Sequence, residues 1–143
     1  MNIIEFKIKN YKSINEINIP LKDYGANHNK SKVAILVGLN ETGKSTILKA
    51  ISYLAFDDSY KEIKYTEDCN KAAFDNDEQI EISATLDINK EYLLSKKDIY
   101  NLPISLINSL ILINPELCVI ANKNETIQSL YFELNDLEYF KYV

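Results

Sequence analysis

The residues of this chain best suited to chemistry lie at positions 38–46, where the sequence is G-L-N-E-T-G-K-S-T. This segment fits the phosphate-binding pattern G-x-x-x-x-G-K-[ST] at every fixed position. Gly38 allows a sharp turn out of a preceding strand, and Gly43 lets backbone N–H groups approach phosphate oxygens with no Cβ in the way. The segment therefore predicts a loop that binds the phosphates of a nucleotide.

The residues that follow Gly43 supply the charges that such a ligand needs. Lys44 offers a positive charge to the β- and γ-phosphates, and the Ser45 hydroxyl is a ligand for Mg²⁺. Thr46 and the amides of the first helical turn are placed to reach the α-phosphate. We therefore expect a nucleotide and Mg²⁺ to bind together, with Ser45 as the metal ligand from this chain.

The four residues between the glycines complete the predicted site. We expect Asn40 and Thr42 to contact the ligand, and Leu39 to belong to the loop. Glu41 also belongs to the loop, but its carboxylate must point away because its charge would oppose the phosphates.

The elements around this loop are predicted from the spacing of apolar residues. Alternation over 4–8 and again over 17–21 indicates two strands of a hairpin. The continuous run V-A-I-L-V at 33–37 is typical of a strand buried on both faces. An amphipathic helix is predicted from Lys44 to Phe56 because its apolar residues recur at helical spacing.

Sequence patterns in the second half of the chain predict further helices and strands. Residues 57–79 are rich in acids and suggest a solvated loop, whereas 80–88 alternate as a strand. A helical region is expected within 89–112, interrupted near Pro103, followed by a hairpin over 117–134. Together these elements predict an α/β fold with a mixed sheet and antiparallel hairpins, whose buried central strand feeds the phosphate loop.

Charge is distributed unevenly along the chain. Residues 1–50 carry a net charge of +4, whereas the whole chain of 143 residues carries −5. The acidic remainder argues against a free-standing nucleic-acid binder. Cys69 and Cys118 have no companions at metal-ligand spacing. Two free thiols, no secretory signal and no apolar run long enough for a membrane span indicate a cytoplasmic protein.

Two classes of phosphate-loop protein are disfavoured by composition. A GTPase needs a D-x-x-G motif after the loop, and no glycine follows Gly43. The segment N-K-N-E at 122–125 resembles a guanine-binding motif, but a hairpin turn explains it better. Small-molecule kinases use arginines for phosphoryl transfer, and this chain has none.

The first fifty residues carry a more specific resemblance. The segments I-K-N-Y-K-S-I (8–14) and V-G-L-N-E-T-G-K-S-T-I-L-K-A-I (37–51) resemble the amino-terminal lobe of ABC-type ATPases. The most similar group is that of the RecF, structural-maintenance-of-chromosomes (SMC) and overcoming-lysogenization-defect (OLD) proteins. The resemblance implies Mg²⁺-dependent ATP binding and hydrolysis coupled to DNA, with a role in DNA repair or phage defence. It also implies that Lys12 and Ser13 lie near the edge of the nucleotide.

Parts of the ABC-type catalytic set are missing from the sequence. A signature loop of the L-S-G-G type requires glycines, which do not occur after Gly43. The segment most similar to a Walker B strand is L-I-L-I-N-P-E at 110–116, where Asn114 replaces the metal-anchoring aspartate. We therefore expect residues 1–143 to form a single, incomplete P-loop ATPase domain that binds ATP and depends on a second copy or a larger ATPase for hydrolysis.

Two other hypotheses remain open. The chain could be a short regulatory or interaction module that holds a nucleotide without hydrolysing it. Alternatively, the acidic segment 57–79 could dock a partner while the loop is vestigial. Any contact with DNA is expected through the full assembly rather than through this segment, given its acidic last two thirds.

Overall fold

A computed structural model of the chain describes residues 2–25, 31–38, 43–55, 63–87, 90–101, 103–105, 107, 116–134 and 138–142. Within these ranges the elements, in chain order, are β1 (Asn2–Tyr11), β2 (Ile14–Pro20), β3 (Lys22–Tyr24), β4 (Ser31–Val33), α1 (Lys44–Ser52), α2 (Tyr65–Asp68), α3 (Lys71–Asp75), β5 (Ile80–Asp87), α4 (Lys90–Tyr100), β6 (Glu116–Ala121), β7 (Thr126–Leu134) and β8 (Glu138–Tyr142).

The main sheet has six strands in the order β2-β1-β5-β6-β7-β8, and β3 pairs with β4 in a separate two-stranded sheet. Every pairing among the described strands is antiparallel. The predicted α/β class and the hairpins β1–β2 and β6–β7 are confirmed. The prediction of a mixed sheet is wrong for this part of the chain, because each of these strands runs opposite to its neighbours.

The core lies on the face of the sheet that α1 covers. Ile8, Ile82 and Val119 lie side by side across β1, β5 and β6, and each is at most 3% exposed. Ala50 of α1 is fully buried in the same cluster. Burial of each of the three larger aliphatic side chains, Ile8, Ile82 and Val119, stabilises the fold by roughly 2 kcal/mol. This packing fixes α1, and therefore the residues just before it, against the centre of the sheet.

On the opposite face of the sheet, small buried residues occupy the centre. Ser83 of β5 is paired in register with Cys118 of β6, and both are buried. Lys7 of β1 is the other neighbour of Ser83 and forms an ion pair with Glu16 of β2 at 3.4 Å. Charged side chains therefore flank this face on the β1–β2 side.

The acidic segment differs from its prediction as a solvated loop. Its described part, residues 63–79, contains α2 and α3, and Ile63, Tyr65 and Ala73 are all buried. The rings of Tyr65 and Phe74 lie 5.6 Å apart and pack on the core cluster. The acids were a poor guide because most of them are exposed, while the sparse apolar residues between them reach the core. Residues 57–62 lie outside the described residues.

The remaining predicted elements follow the sequence closely. The strand expected at 80–88 is β5, and α4 ends at Tyr100, shortly before Pro103, as predicted. The turn at 122–125 joins β6 to β7, and the Asn122 side chain accepts hydrogen bonds from the amides of Asn124 and Glu125 at 2.8 and 3.0 Å. Of the Walker B-like segment, residues 110–115 lie outside the described residues, and Glu116 begins β6.

Candidate functional site

The segment that leads into the phosphate loop is not the strand that the sequence predicts. Strand β4 ends at Val33, and residues 34–38 are irregular. Leu36 packs against the core, whereas Ile35 and Val37 are 81% and 88% exposed. A strand buried on both faces needs a hydrogen-bonding neighbour and a cover on each side, but the interior positions of the described sheet are taken by β1, β5, β6 and β7. The prediction of a doubly buried strand at 33–37 is therefore wrong.

The end of the loop is shaped by Gly43, which precedes the first residue of α1. Its φ of +89° is left-handed, and its carbonyl accepts the first helical hydrogen bond from the Ile47 amide at 2.9 Å. A Cβ built on Gly43 would meet nothing within 4 Å. Glycine is therefore required here by the backbone conformation rather than by crowding.

Lys44 connects the two ends of the loop. Its ammonium nitrogen donates a hydrogen bond of 2.5 Å to the carbonyl oxygen of Gly38. A carbonyl oxygen is a weaker partner for an ammonium group than a phosphate oxygen, because charge-assisted hydrogen bonds are the stronger ones. The structure thus brings Gly38, Gly43 and Lys44 together, while Leu39, Asn40, Glu41 and Thr42 lie outside the described residues and stay predictions.

The first turn of α1 is suited to an anion. It contains no acidic residue, and no side chain caps it, so the helix dipole and the first amides are not compensated by a carboxylate. Ser45 is exposed and Thr46 is half-buried in this turn. An exposed hydroxyl in this turn fits the predicted role of Ser45 as a single protein ligand to Mg²⁺, which keeps most of its shell as water and phosphate oxygens.

The rest of α1 anchors the loop. Ile47 and Ala50 are buried, and so is Tyr53, whose ring meets that of Tyr11 edge to face at 6.0 Å. Such aromatic contacts contribute about 1 kcal/mol beyond their buried area. The helix ends at Ser52, rather than at the predicted Phe56, which lies outside the described residues.

The profile of the AAA ATPase domain family matches residues 1–142. The chain belongs to this family. Membership gives this AAA ATPase domain an ATP-binding, ATPase-like function, with nucleotide as its ligand. A comparison with curated proteins finds no match.

In this AAA ATPase domain, the turn that carries Lys12 and Ser13 is joined to the segment around α2. Lys12 has a left-handed φ of 51° and its ammonium group lies 3.5 Å from the Asp68 carboxylate and 5.7 Å from the centre of the Tyr11 ring. Ser13 is exposed. Because Tyr11 contacts Tyr53, this turn lies beside the carboxyl end of α1, whereas Gly43 lies at the other end, roughly 13 Å away along a nine-residue helix.

Several residues of this junction carry no signal in the sequence. The backbone amide of Asn70 donates to the Asn10 carbonyl, and its side-chain amide donates to the Lys12 carbonyl, both at 2.9 Å. Asn10, itself with a left-handed φ of 59°, donates to the Gln79 carbonyl at 2.9 Å. Asparagine tolerates the left-handed region better than most residues, which suits Asn10 to its φ of 59°.

The titratable groups with shifted pKa values lie outside the phosphate loop. Burial, reinforced by Cys69 and by the nearby acids Asp77 and Glu78, raises the pKa of Tyr65 to about 12. Burial also raises the pKa of Cys69, and it raises the pKa of Cys118 to about 12 with a smaller contribution from Glu81 and Glu116. Both cysteines are free thiols. These groups are held neutral at ordinary pH, which suits structural rather than nucleophilic roles.

The described ranges contain neither a cluster of metal-ligating side chains nor a helix suited to crossing a bilayer. Three or more His, Cys, Asp or Glu side chains do not come together anywhere in this part of the chain as a metal site would require. Among the same residues, no helix is both long and apolar enough to cross a lipid bilayer.

Proposed function

We propose that this AAA ATPase domain binds Mg-ATP through residues 38–46. The observation that carries the proposal is the hydrogen bond between the Lys44 ammonium and the Gly38 carbonyl across a loop that ends in left-handed Gly43. This arrangement holds a positive charge beside Gly38, at the start of a helix whose first turn carries no acid. Both features attract the same ligand, a chain of phosphates.

Each residue has a distinct part in binding. The amides of the first turn of α1 donate to phosphate oxygens, and Lys44 exchanges its carbonyl partner for the β- and γ-phosphates. Ser45 would hold Mg²⁺, which supplies charge neutralisation to the phosphates when it is bound. Gly38, Asn40, Thr42 and Thr46 would line the ligand, with Leu39 and Glu41 completing the loop.

The role of the bound nucleotide is proposed from the resemblance to the RecF, SMC and OLD proteins. A second copy of the chain or the remainder of a larger ATPase would supply the metal-anchoring acid, the general base and the signature loop. Hydrolysis would then drive a DNA transaction, such as repair or phage defence, in the cytoplasm. Because the Lys12–Ser13 turn lies at the other end of α1 from Gly43, these two residues would, in that assembly, approach the edge of the nucleotide farthest from its phosphates.

Titration with Mg-ATP tests the binding proposal. We compare the wild-type chain with Lys44→Ala and with Lys49→Ala, which removes an exposed lysine from the last turn of the same helix. We expect wild type and Lys49→Ala to bind alike, and Lys44→Ala to bind at least about ten-fold more weakly, since a charge-assisted contact is lost. Saturating ATP at 100 times Kd should raise the free energy of unfolding by about 2.7 kcal/mol.

Two results would count against the proposal. Equal affinity of Lys44→Ala and wild type, with equal melting temperatures, would show that the loop does not hold the phosphates. Steady hydrolysis by the isolated chain at the rate of a complete ATPase would show that it needs no residues from a partner.

A further inference from the structure

The end of β1 and the turn that follows it contain two residues in the left-handed region. Asn10 has a φ of 59° and Lys12 has a φ of 51°, and neither is a glycine. A lysine in this region is uncommon, because its Cβ crowds the neighbouring backbone. Such conformations persist only where surrounding contacts impose them, and they cluster at ligand-binding and active sites. The backbone of Lys12 therefore depends on contacts from elsewhere in the fold.

Those contacts come from the junction of α2 and α3. The Lys12 amide donates to the Asp68 carbonyl at 2.6 Å, and the Lys12 carbonyl accepts from the Asn70 side-chain amide at 2.9 Å. The Asn70 backbone amide also donates to the Asn10 carbonyl at 2.9 Å. Both backbone hydrogen-bonding groups of Lys12 are thus bonded to one short segment, which fixes the conformation of the turn.

The side chain of Lys12 is held in place but still open to a ligand. Its ammonium group lies 3.5 Å from the Asp68 carboxylate and 5.7 Å from the centre of the Tyr11 ring. The Asp68 carboxylate is itself fixed by a hydrogen bond of 3.0 Å from the Lys64 amide. The Asp68 side chain is 9% exposed, whereas that of Lys12 is 37% exposed. A lysine that is held before binding loses less conformational freedom on contact with a ligand, which favours affinity.

Asn70 joins this turn to the rest of the fold through two different side-chain atoms. Its oxygen accepts from the Ala72 amide at 3.1 Å and so caps α3, while its nitrogen donates to Lys12. On the other side of the turn, the ring of Tyr11 meets that of Tyr53, which directly follows α1. The turn is therefore fixed both to α3 and to the helix that begins at the phosphate loop.

We propose that Asn70 is a positioning residue for nucleotide binding. It fixes the backbone of Lys12 so that the ammonium group reaches the end of the nucleotide farthest from its phosphates, and it makes no contact with the nucleotide itself. The inference rests on the proposed function, in which residues 38–46 hold the phosphates and Lys12 approaches that far end. It adds a residue outside the phosphate loop on which affinity for the nucleoside part, rather than for the phosphates, depends.

One substitution separates the two side-chain contacts of Asn70. Asn70→Asp keeps an oxygen that caps α3, since aspartate is also a favourable cap, but it loses the donor to the Lys12 carbonyl. The matched control is Asn76→Asp at the other end of the same helix, where the side-chain nitrogen donates to the Ala72 carbonyl at 3.0 Å. Both variants exchange one amide donor for one negative charge, and only the first of them affects the Lys12 turn.

Binding of two ligands, Mg-ATP and inorganic tripolyphosphate with Mg²⁺, is measured on the full chain, which contains both the loop and Lys12. We expect Asn70→Asp to bind ATP roughly five-fold more weakly than wild type, because one hydrogen bond is lost, and to bind tripolyphosphate equally well. Asn76→Asp should bind both ligands like wild type. A merely structural role of Asn70 would not distinguish the two ligands, because both need the same folded loop.

A double-mutant cycle tests whether Asn70 acts through Lys12. Lys12→Ala should weaken ATP binding about five-fold by itself and leave tripolyphosphate binding unchanged. Because Lys12→Ala leaves no ammonium group to position, the addition of Asn70→Asp to it should cause no further loss of ATP affinity.

Three results would overturn the positioning role while the loop still binds phosphates. If Asn70→Asp bound ATP as tightly as wild type, the Lys12 turn would not depend on Asn70. If it weakened both ligands equally, Asn70 would support the fold or the loop instead. If the double variant bound ATP more weakly than Lys12→Ala, Asn70 would act independently of Lys12. Failure of wild type to bind either ligand would overturn the proposed function, and the role of Asn70 with it.

Discussion

Lys12 and Asp68 are joined twice, once through the backbone and once through their side chains. The amide of Lys12 donates to the Asp68 carbonyl at 2.6 Å, and the ammonium and carboxylate groups lie 3.5 Å apart. The Asp68 carboxylate also accepts a hydrogen bond from the Lys64 amide at 3.0 Å. Since Asp68 is only 6% exposed, this contact ties the turn of the first hairpin to α2 at the edge of the core.

The first prediction concerns the two side chains of this junction. Asp68→Ala should lower the free energy of unfolding by about 1–3 kcal/mol, because it removes the carboxylate that accepts the part-buried hydrogen bond from the Lys64 amide. Lys12→Ala should cost less than about 1 kcal/mol, because its half-exposed ammonium group is screened by water. Urea denaturation measures both values. Glu67→Ala changes an exposed neighbour in α2 and is the matched control. If Glu67→Ala lowered the free energy of unfolding as much as Asp68→Ala does, the prediction would be contradicted.

A second prediction follows from the backbone conformation of Gly43. Gly43→Ala should lower the free energy of unfolding by about 1–2 kcal/mol, because alanine is strained at a φ of +89°. It should weaken ATP binding as well, since relief of that strain turns the amides away from the phosphates. Ser45→Ala in the same turn has no such strain and should leave stability unchanged. Thermal unfolding without ligand, followed by ATP titration, separates the loss of stability from the loss of ATP affinity. An unchanged melting temperature for Gly43→Ala would show that the glycine conformation imposes no strain on alanine.

A third prediction concerns the hydroxyl of Tyr65. It donates a hydrogen bond of 2.6 Å to the carbonyl oxygen of Glu78. Tyr65→Phe keeps the ring contact with Phe74 but removes the stronger donor to that carbonyl, leaving only the Cys69 thiol at 3.9 Å, and should cost about 1 kcal/mol of stability. Tyr24→Phe removes a hydroxyl from an exposed ring and should cost nothing measurable. Equal melting temperatures for the two variants would show that the bond does not stabilise the fold.

A fourth prediction links Cys118 to alkaline pH. The folded thiol has a pKa near 12, against 9.0 for the ordinary group. Between these values the unfolded chain releases the proton while the folded chain retains it, so stability should fall as pH rises from about 9 toward 12. Urea midpoints at several pH values in this window should fall less steeply for Cys118→Ala than for wild type. If the urea midpoints of wild type and Cys118→Ala fell equally with pH, the buried thiol would not contribute to the pH dependence of stability.

Local patterns predicted the elements whose burial is decided by their own residues. Strand β5 alternates because Ile80, Ile82, Ala84 and Leu86 face the same side of the sheet. The turn at 122–125 is closed by its own asparagine. The start of α1 at Lys44, directly after left-handed Gly43, was evident for the same reason, since a helix amino terminus preceded by glycine is a local feature.

The sequence failed where distant residues decide the outcome. Residues 63–79 are ordered by contacts such as that between Asn70 and Lys12, which lie 58 positions apart and carry no shared pattern. At 33–37, an apolar run predicted burial, but burial also requires a neighbouring strand.

The pairing of β1 with β5 sets the order in which the chain can fold. Ile8 lies next to Ile82, so most of the chain up to β5 must form a closed loop before the β1–β5 ladder exists. The hairpins β1–β2 and β6–β7 have short connections and can form early, whereas the β1–β5 ladder incurs a larger loss of chain entropy. During synthesis on the ribosome, one edge of β1 therefore stays unpaired until β5 has been synthesised. A nascent chain arrested before residue 80 should expose that edge to chaperones or to aggregation.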